Sequence, residues 1–243
     1  MALQKNMKKI KMFKLTLVLP CYNEEENIDS LFKNFYDCIE NLNDTCILFL
    51  DNGSTDNSLI KIKENINHYH TPNFSYMSLK QNKGYGYGLK IALSNITTPY
   101  IGISHADLQI PAEETINIAK SFLESDKNSL YMGKRKGRSV LDKFFTKGML
   151  FIVFLFTGNI FKDINAQPKY FENSKEFYFD NFPNDFNFDL HLLLKIKKMS
   201  KLINYYEIDF LERKAGIAKG GGSFKGKIKL TLSTLRYLIG KKN

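Results

Sequence analysis

The chain lacks a cysteine framework, a long apolar run and a secretion signal. Its 243 residues include three cysteines, with no Cys-x-x-Cys pair and no even set to bridge, which fits a reducing cytosol. The longest apolar run, 149–156, is far shorter than the roughly 20 residues that span a bilayer. We therefore expect no transmembrane helix.

The N-terminus also lacks the order of a signal peptide. Residues 1–14 are basic, but the apolar run 15–19 is too short for a signal core and ends in Pro20 without a cleavage site. Acidic residues are few relative to basic ones, 25 against 35, which gives a net charge of +10. Such a protein suits anionic membranes, phosphorylated substrates or nucleic acid.

What the sequence does contain is a repeated alternation of buried strands and amphipathic helices. Apolar β-type runs predict strands at 14–19, 45–50, 74–79, 100–103 and 130–133. Four strand–loop–helix repeats predict an α/β fold with a mostly parallel central sheet flanked by helices. Because crossovers are right-handed, the loops that follow the strands meet at one edge of the sheet.

The loop after the fourth predicted strand carries the strongest chemical signal. His105, Asp107 and Gln109 alternate in it, so an extended backbone would point an imidazole, a carboxylate and an amide in one direction. Such a set can hold a divalent cation that keeps open coordination positions. An ordinary strand end with a capping aspartate is the alternative.

A glycine-rich segment precedes the third predicted helix. Gly84-x-Gly86-x-Gly88 is not GxGxxG, so the dinucleotide fingerprint fails, and no Gly-Lys-Ser/Thr follows to make a phosphate-binding Walker loop. Two interpretations stay open: close packing of the helix on the sheet, or close approach of a ligand.

Four motifs, taken in order, resemble those of the family 2 glycosyltransferases, which have the GT-A fold. They are Leu-Pro-Cys-Tyr-Asn-Glu-Glu-Glu-Asn-Ile (19–28), Leu-Asp-Asn-Gly-Ser-Thr-Asp (50–56), Asn-Lys-Gly-Tyr-Gly-Tyr-Gly-Leu (82–89) and His-Ala-Asp-Leu-Gln (105–109). Within the family, the chain is most similar to the dolichyl- and polyprenyl-phosphate sugar synthase branch. The resemblance implies inverting transfer of a sugar from a nucleotide-diphosphate sugar to a membrane polyprenyl phosphate.

The resemblance also implies a divalent cation, Mg²⁺ or Mn²⁺. Asp107 would be its chief ligand, assisted by Gln109 and His105. The family usually has Asp-x-Asp here, and it has a second aspartate where this chain has Asn52. Since His105 removes one negative charge, metal binding should weaken or shift toward ions that accept nitrogen, such as Mn²⁺.

Other matching positions would bind the nucleotide sugar. Arg135, Arg213 and Lys219 would neutralise the diphosphate, whose charge grows as it leaves, and Asp51 would accept a hydrogen bond from the base. The remaining predicted nucleotide-sugar contacts are Pro20, Tyr22, Glu24, Gly53, Lys83, Gly84 and Ala106. For Arg138 we expect a solvated place in a basic loop.

We expect a glycosyltransferase domain at 1–223, with a nucleotide-sugar half (14–133) and an acceptor half (134–223), and a basic amphipathic helix at 224–243. That helix favours peripheral contact with the inner face of the membrane. The apolar helix 141–161 is either a second interfacial element or a core helix. The aromatic-rich segment 170–188 is either a loop that grips a lipid or sugar ring or a result of the chain's bias toward Asn, Lys and Phe.

The acceptor decides whether a general base is needed. A sugar hydroxyl must lose a proton, and Asp189 is the candidate base for it, whereas a lipid phosphate is already an anion. The alternatives are transfer to a growing cell-surface polysaccharide or lipid-linked glycan, a nucleotidyltransferase, and a non-catalytic basic module that binds membrane or nucleic acid. We expect no nucleic-acid partner.

Overall fold

The computed structural model describes residues 13–38, 44–125, 128–213 and 223–240, and its centre is a seven-stranded sheet. The strands are β1 (Leu15–Cys21), β2 (Thr45–Asp51), β3 (Phe74–Ser78), β4 (Tyr100–Ile103), β5 (Ser129–Lys136), β6 (Lys169–Glu172) and β7 (Leu202–Asp209). Their order is β3-β2-β1-β4-β6-β5-β7, and only β6 runs antiparallel to its neighbours within these residues. The predicted mostly parallel α/β sheet is confirmed.

Helices cover both faces of this sheet. They are α1 (Ile28–Asp37), α2 (Ser58–Tyr69), α3 (Tyr85–Ser94), α4 (Ala112–Glu124), α5 (Val140–Thr157), α6 (Asn187–Lys198) and α7 (Phe224–Gly240). Helices α1, α2 and α4 contribute to one apolar cluster, and α3, α5, α6 and α7 contribute to the other. The first strands are apolar almost throughout because both of their faces are buried.

Two strands were missed by the sequence prediction, and both lie in the second half. β6 forms within the aromatic segment that we expected to be a ligand-gripping loop. Most of that segment is core instead: Tyr170 is fully buried and donates a 2.7 Å hydrogen bond to the carbonyl of Thr115. Phe177 and Phe182 are also buried, and Tyr178 is exposed. The expectation of an aromatic loop is therefore wrong for most of its members.

The two apolar helices of the second half are each buried along one side. In α5, Met149 and Val153 are buried while Phe144 and Phe151 face outward. In α7, Leu238 enters the same core cluster, so this helix packs on the domain, and the division at residue 223 stays a prediction. No helix in the described ranges is both long and apolar enough to cross a membrane.

Gly133 in β5 and Gly148 in α5 offer a matched test of the packing. A Cβ at Gly133 would collide with the carbonyl oxygen of Gln167, whereas a Cβ at Gly148 meets nothing within 4 Å. We expect Gly133→Ala to lower the free energy of unfolding by about 1–3 kcal/mol. Gly148→Ala should raise it by up to about 1 kcal/mol through helix propensity. Urea denaturation measures both, and equal effects would contradict this packing.

Candidate active site

The sheet topology brings seven chain segments to one edge. The carboxyl ends of β1, β2, β3, β4, β5 and β7 share an edge because these strands run in one direction, and antiparallel β6 starts at that edge. Ligand sites of open α/β sheets form at this edge. Arg135 near the end of β5, Lys169 at the start of β6 and Arg213 beyond β7 therefore meet the loops that follow β1 and β4.

The loops after β1 and β2 are joined by hydrogen bonds. The backbone N–H of Thr55 donates to Asn23 Oδ1 at 2.8 Å, and that of Asn23 donates to Ser54 Oγ at 3.1 Å. The backbone N–H of Glu24 donates to Ser58 Oγ at 2.8 Å. Glu24 is thus fixed at the rim before any ligand arrives.

Asn52 joins the end of β2 to the glycine-rich segment. Its Nδ2 donates to the Gly84 carbonyl at 3.1 Å, and a Cβ at Gly88 would collide with the Asn52 side chain. An ionised aspartate has no hydrogen to donate to that carbonyl. The hydrogen bond to Gly84 therefore explains why asparagine is suited to position 52. The glycines serve close packing, and Gly84 also lines the cleft described next.

A cleft of about 670 Å³ runs from these loops to α5 and α7. The loop wall includes Pro20, Tyr22, Glu24, Asn52, Gly84, His105, Ala106, Asp107, Gln109 and Arg213. The helical wall includes Arg138, Asp142, Phe145, Thr146, Met149, Leu150, Lys227, Leu230 and Thr231. Arg135, Asp163 and Asp189 also line it. The cleft therefore contains most of the predicted site residues and several that were not predicted.

The loop after β4 is bent, so the extended backbone considered for His105, Asp107 and Gln109 is wrong. Leu108 has a left-handed φ of 59°, and the backbone N–H of Gln109 donates to Asp107 Oδ1 at 3.2 Å. Gln109 Nε2 donates to the Leu211 carbonyl at 3.1 Å. The three side chains nevertheless all line the cleft. Among the described residues, no group of three or more His, Cys, Asp or Glu side chains forms a ready metal cluster.

Arg213 pairs with two carboxylates of the loop wall. Its guanidinium contacts Glu24, and its NH1 lies 3.7 Å from Asp107 Oδ2. Burial lowers the pKa of His105, the neighbouring Asp107 opposing the shift, so the imidazole is neutral at pH 7. The charges of Glu24, Asp107 and Arg213 sum to −1, which does not suit a diphosphate unless a further cation joins it.

The helical wall carries more positive charge. Arg135 makes a two-pronged ion pair with Asp163 at 2.8 and 2.9 Å. Lys227 Nζ lies 2.7 Å from Asp142 Oδ1. Arg138 was expected in solvent but lines the cleft, because its NH1 donates to Thr146 Oγ1 at 2.8 Å. Burial and the nearby Arg135 lower the pKa of Arg138.

Asp189, which lines the cleft, belongs to a buried ion pair that sequence reasoning missed. Lys169, fully buried, donates to Asp189 Oδ1 at 2.8 Å and to the Ala166 carbonyl at 2.7 Å. Gln167 Nε2 donates to the same carboxylate oxygen at 3.0 Å. Burial lowers the pKa of Lys169, and Asp189 opposes that shift. A lysine at a strand start gave no local sequence signal of this role.

Three predicted contacts within the described residues do not line the cleft. Asp51 is buried and accepts hydrogen bonds from Ser78 Oγ at 2.8 Å and the Ser54 N–H at 3.0 Å. Gly53 packs against the 81–82 backbone with φ of 73°. The Lys83 ammonium lies 5.4 Å from the Tyr87 ring centroid. Base recognition by Asp51 stays a prediction, and Lys219 lies outside the described residues.

The sequence matches the model of a known protein family, and that family agrees with the fold and the cleft. Residues 16–190, more than half of the chain, match the model described as glycosyl transferase family 2. The chain belongs to this family, and it is a glycosyltransferase with the GT-A fold.

Solved structures share the fold at low identity. Glucosyl-3-phosphoglycerate synthase from Mycobacterium tuberculosis, in complex with Mn²⁺, UDP and glucosyl-3-phosphoglycerate, gives a TM-score of 0.67 at 14% identity. The match covers 94% of this chain and 80% of that one. The mannosyltransferase PcManGT from Pyrobaculum calidifontis, in complex with GDP-Man and Mn²⁺, gives 0.63 at 18% identity, over 84% and 59%.

A curated relative is similar over part of the chain. The teichoic acid poly(glycerol phosphate) polymerase of Staphylococcus epidermidis is 28% identical over 115 residues. The match covers 47% of this chain and 16% of the relative's length. None of the three comparisons shows the polyprenyl-phosphate branch.

The buried pair of Lys169 and Asp189 predicts strong coupling in a double-mutant cycle. Asp189→Ala should lower the free energy of unfolding by about 3–5 kcal/mol, because it leaves a buried ammonium without its counter-ion. Adding Lys169→Met should recover about 1–3 kcal/mol of that loss. The exposed pair of Lys33 and Asp37 is the control, which should show little coupling. Additive effects at Lys169 and Asp189 in urea denaturation would refute the ion pair.

Proposed function

We propose that this glycosyltransferase moves a sugar from a nucleotide-diphosphate sugar to a polyprenyl phosphate, with inversion at the anomeric carbon. One observation carries the proposal. A single cleft has two different walls. The loop wall carries the carboxylates and the arginine that a cation–diphosphate complex needs, and the helical wall is both cationic and apolar. The two walls suit a donor and a lipid phosphate, respectively.

The loop wall is the donor side of the proposal. Pro20 and Tyr22 line it beside Ala106, and we assign them to the nucleoside. Arg213 would contact the diphosphate and stabilise the charge that develops as the sugar departs. Two structural neighbours were solved with UDP or GDP-Man, which supports a nucleotide donor without choosing its base or sugar.

A divalent cation fits this wall. The loop wall has a net charge of −1 over Glu24, Asp107 and Arg213, and Asp107 and Gln109 offer oxygen while neutral His105 offers nitrogen. Mg²⁺ and Mn²⁺ sites commonly combine one or two such ligands with substrate phosphates and water. When bound, the cation would neutralise the leaving diphosphate. The chain's own part is to hold Asp107 by the Gln109 N–H and to place Arg213 beside it.

The helical wall is the acceptor side. Arg138, Lys227 and the Thr146 hydroxyl lie along it, and cations and hydroxyls of this kind bind phosphate through charge-assisted hydrogen bonds. Met149 and Leu230 line the same wall and would contact the first isoprene units. The acceptor's phosphate oxygen would form a bond to the anomeric carbon while the bond from that carbon to the donor diphosphate breaks. An anionic phosphate needs no general base.

A second candidate acceptor is a sugar hydroxyl on a growing glycan. Asp189 lines the cleft and is held in place by Lys169 and Gln167. It is therefore positioned as a base for the hydroxyl proton. The similarity to a teichoic acid polymerase favours cell-surface polymer synthesis in either case. The lipid phosphate remains the first proposal because of the charge and apolarity of the helical wall.

The donor side is tested by binding and by turnover. A thermal-shift panel of UDP, GDP, CDP and dTDP sugars with Mn²⁺ or Mg²⁺ should identify one stabilising donor. Asp107→Asn should then lower kcat about 10²–10³-fold with that donor, since the cation that would neutralise the leaving diphosphate loses its chief ligand. EDTA should have a similar effect on the wild type. No donor shift with either ion, or unchanged turnover in Asp107→Asn, would overturn the assignment.

The acceptor side is tested with a matched pair of lysines on α7. Lys227 lines the cleft and Lys225 is exposed outside it. With a short-chain, soluble polyprenyl phosphate, Lys227→Gln should raise the acceptor KM about tenfold and leave the donor KM unchanged. Lys225→Gln should change neither.

A glycan acceptor predicts the opposite result for these variants. If the substrate is a hydroxyl, Asp189→Asn should abolish transfer while Lys227→Gln has no effect on acceptor KM. Thermal melting of each variant shows whether it is folded. That pair of results would replace the lipid phosphate with the glycan.

A further inference from the structure

The outer sides of α5 and α7 carry exposed apolar side chains, which together we call the α5–α7 face. On α5 it comprises Val140, Phe144, Phe151 and Leu155, and on α7 it comprises Phe224, Ile228, Leu232 and Ile239. All eight side chains are exposed, Val140 by 84%, Phe144 by 70% and Phe151 by 61%. Large exposed apolar side chains grouped on two neighbouring helices indicate an interaction site.

Helical spacing places these residues in two narrow stripes. At about 100° per residue, the four α5 residues fall within about 60° of each other and the four α7 residues within about 80°. The helices are joined where Phe145 and Phe224 meet edge to face at 5.5 Å and where Lys227 pairs with Asp142. The two stripes therefore lie on helices that pack against each other.

Basic side chains border the apolar stripes. Lys143 and Lys147 are exposed on α5, and Lys225, Lys229 and Arg236 are exposed on α7. Asp142 is the one acidic residue within the two helices, and it lies in the cleft beside Lys227. An apolar stripe flanked by exposed cations complements the acyl boundary and headgroups of an anionic bilayer.

We infer that the α5–α7 face binds the surface of an anionic lipid bilayer. Phe144 and Phe151 enter the acyl boundary while Lys225 and Lys229 contact phosphate headgroups. The opposite sides of the same helices line the acceptor wall of the cleft. The functional role of membrane binding therefore rests on the proposed lipid acceptor. A lipid phosphate would then reach the cleft without leaving the bilayer. That the bilayer surface is the inner face of the membrane stays a prediction from the sequence.

Sedimentation with sucrose-loaded vesicles tests the inference with no donor or acceptor present. The full chain should bind vesicles of equal parts phosphatidylglycerol and phosphatidylcholine, and bind pure phosphatidylcholine at least tenfold more weakly. Phe144→Glu combined with Phe151→Glu should lower the partition coefficient for anionic vesicles at least tenfold. Ile60→Glu combined with Leu202→Glu changes two exposed apolar residues of other elements and should have no effect.

Three results would overturn the inference. They are no binding of the wild type to anionic vesicles, equal loss in both double variants, and a dimer that Phe144→Glu dissociates without any vesicle binding. The last result would assign the face to a second copy of the chain, and analytical ultracentrifugation detects it. Circular dichroism shows that the variants fold. Since no sugar is transferred in this assay, vesicle binding stands even if the proposed reaction fails.

Discussion

Arg213 lies between the carboxylates of Glu24 and Asp107, and the loop wall of the cleft depends on that arrangement. Glu24 follows β1, Asp107 follows β4 and Arg213 follows β7, so one guanidinium joins loops that are distant in the chain. Without it, two carboxylates would face each other across the donor site. Because the Gln109 side chain also binds the Leu211 carbonyl, the segment that carries Arg213 is fixed to the loop that carries Asp107.

The charges along the cleft follow the chemistry that each wall would perform. The loop wall has a small negative excess, which a divalent cation converts into a site for a diphosphate. Beside the helical wall Arg135 pairs with Asp163, and on the wall itself Arg138 and Lys227 lie around Asp142. The wall thus has one net positive charge, which would suit the proposed anionic acceptor. If both walls were basic, donor and acceptor could each bind to either wall, and their positions in the cleft would not be fixed.

Local sequence patterns predicted the first half of the sheet well. The runs that became β1 to β4 are short, apolar and separated by amphipathic helices, so period and composition agree. β6 was missed because Tyr170 and Phe171 sit in a segment whose many aromatics concealed the alternation, and β7 because Tyr205 and Tyr206 are only half buried at the sheet edge. Both strands depend on pairing with β5, which local patterns cannot reveal.

Site residues that belong to a family motif could be predicted from the sequence, and those that tertiary packing brings to the cleft could not. His105, Asp107 and Arg213 were identified by their motifs and do line the cleft. Arg138 and Lys227 line it through long-range packing, and Lys169 lies buried behind Asp189, which local sequence does not indicate. Asp51 shows the converse, since the motif that includes it also serves to fold the loop: its two oxygens bind Ser54 and Ser78.

The most direct test of the account is the structure of the product formed from the identified donor and a polyprenyl phosphate. Phosphorus and proton NMR of that product report the atom that receives the sugar and the anomeric configuration. The account predicts a glycosyl phosphate in which an α-linked donor has become a β-linked lipid product. A sugar attached to a hydroxyl, or a product that retains the donor's configuration, would contradict it.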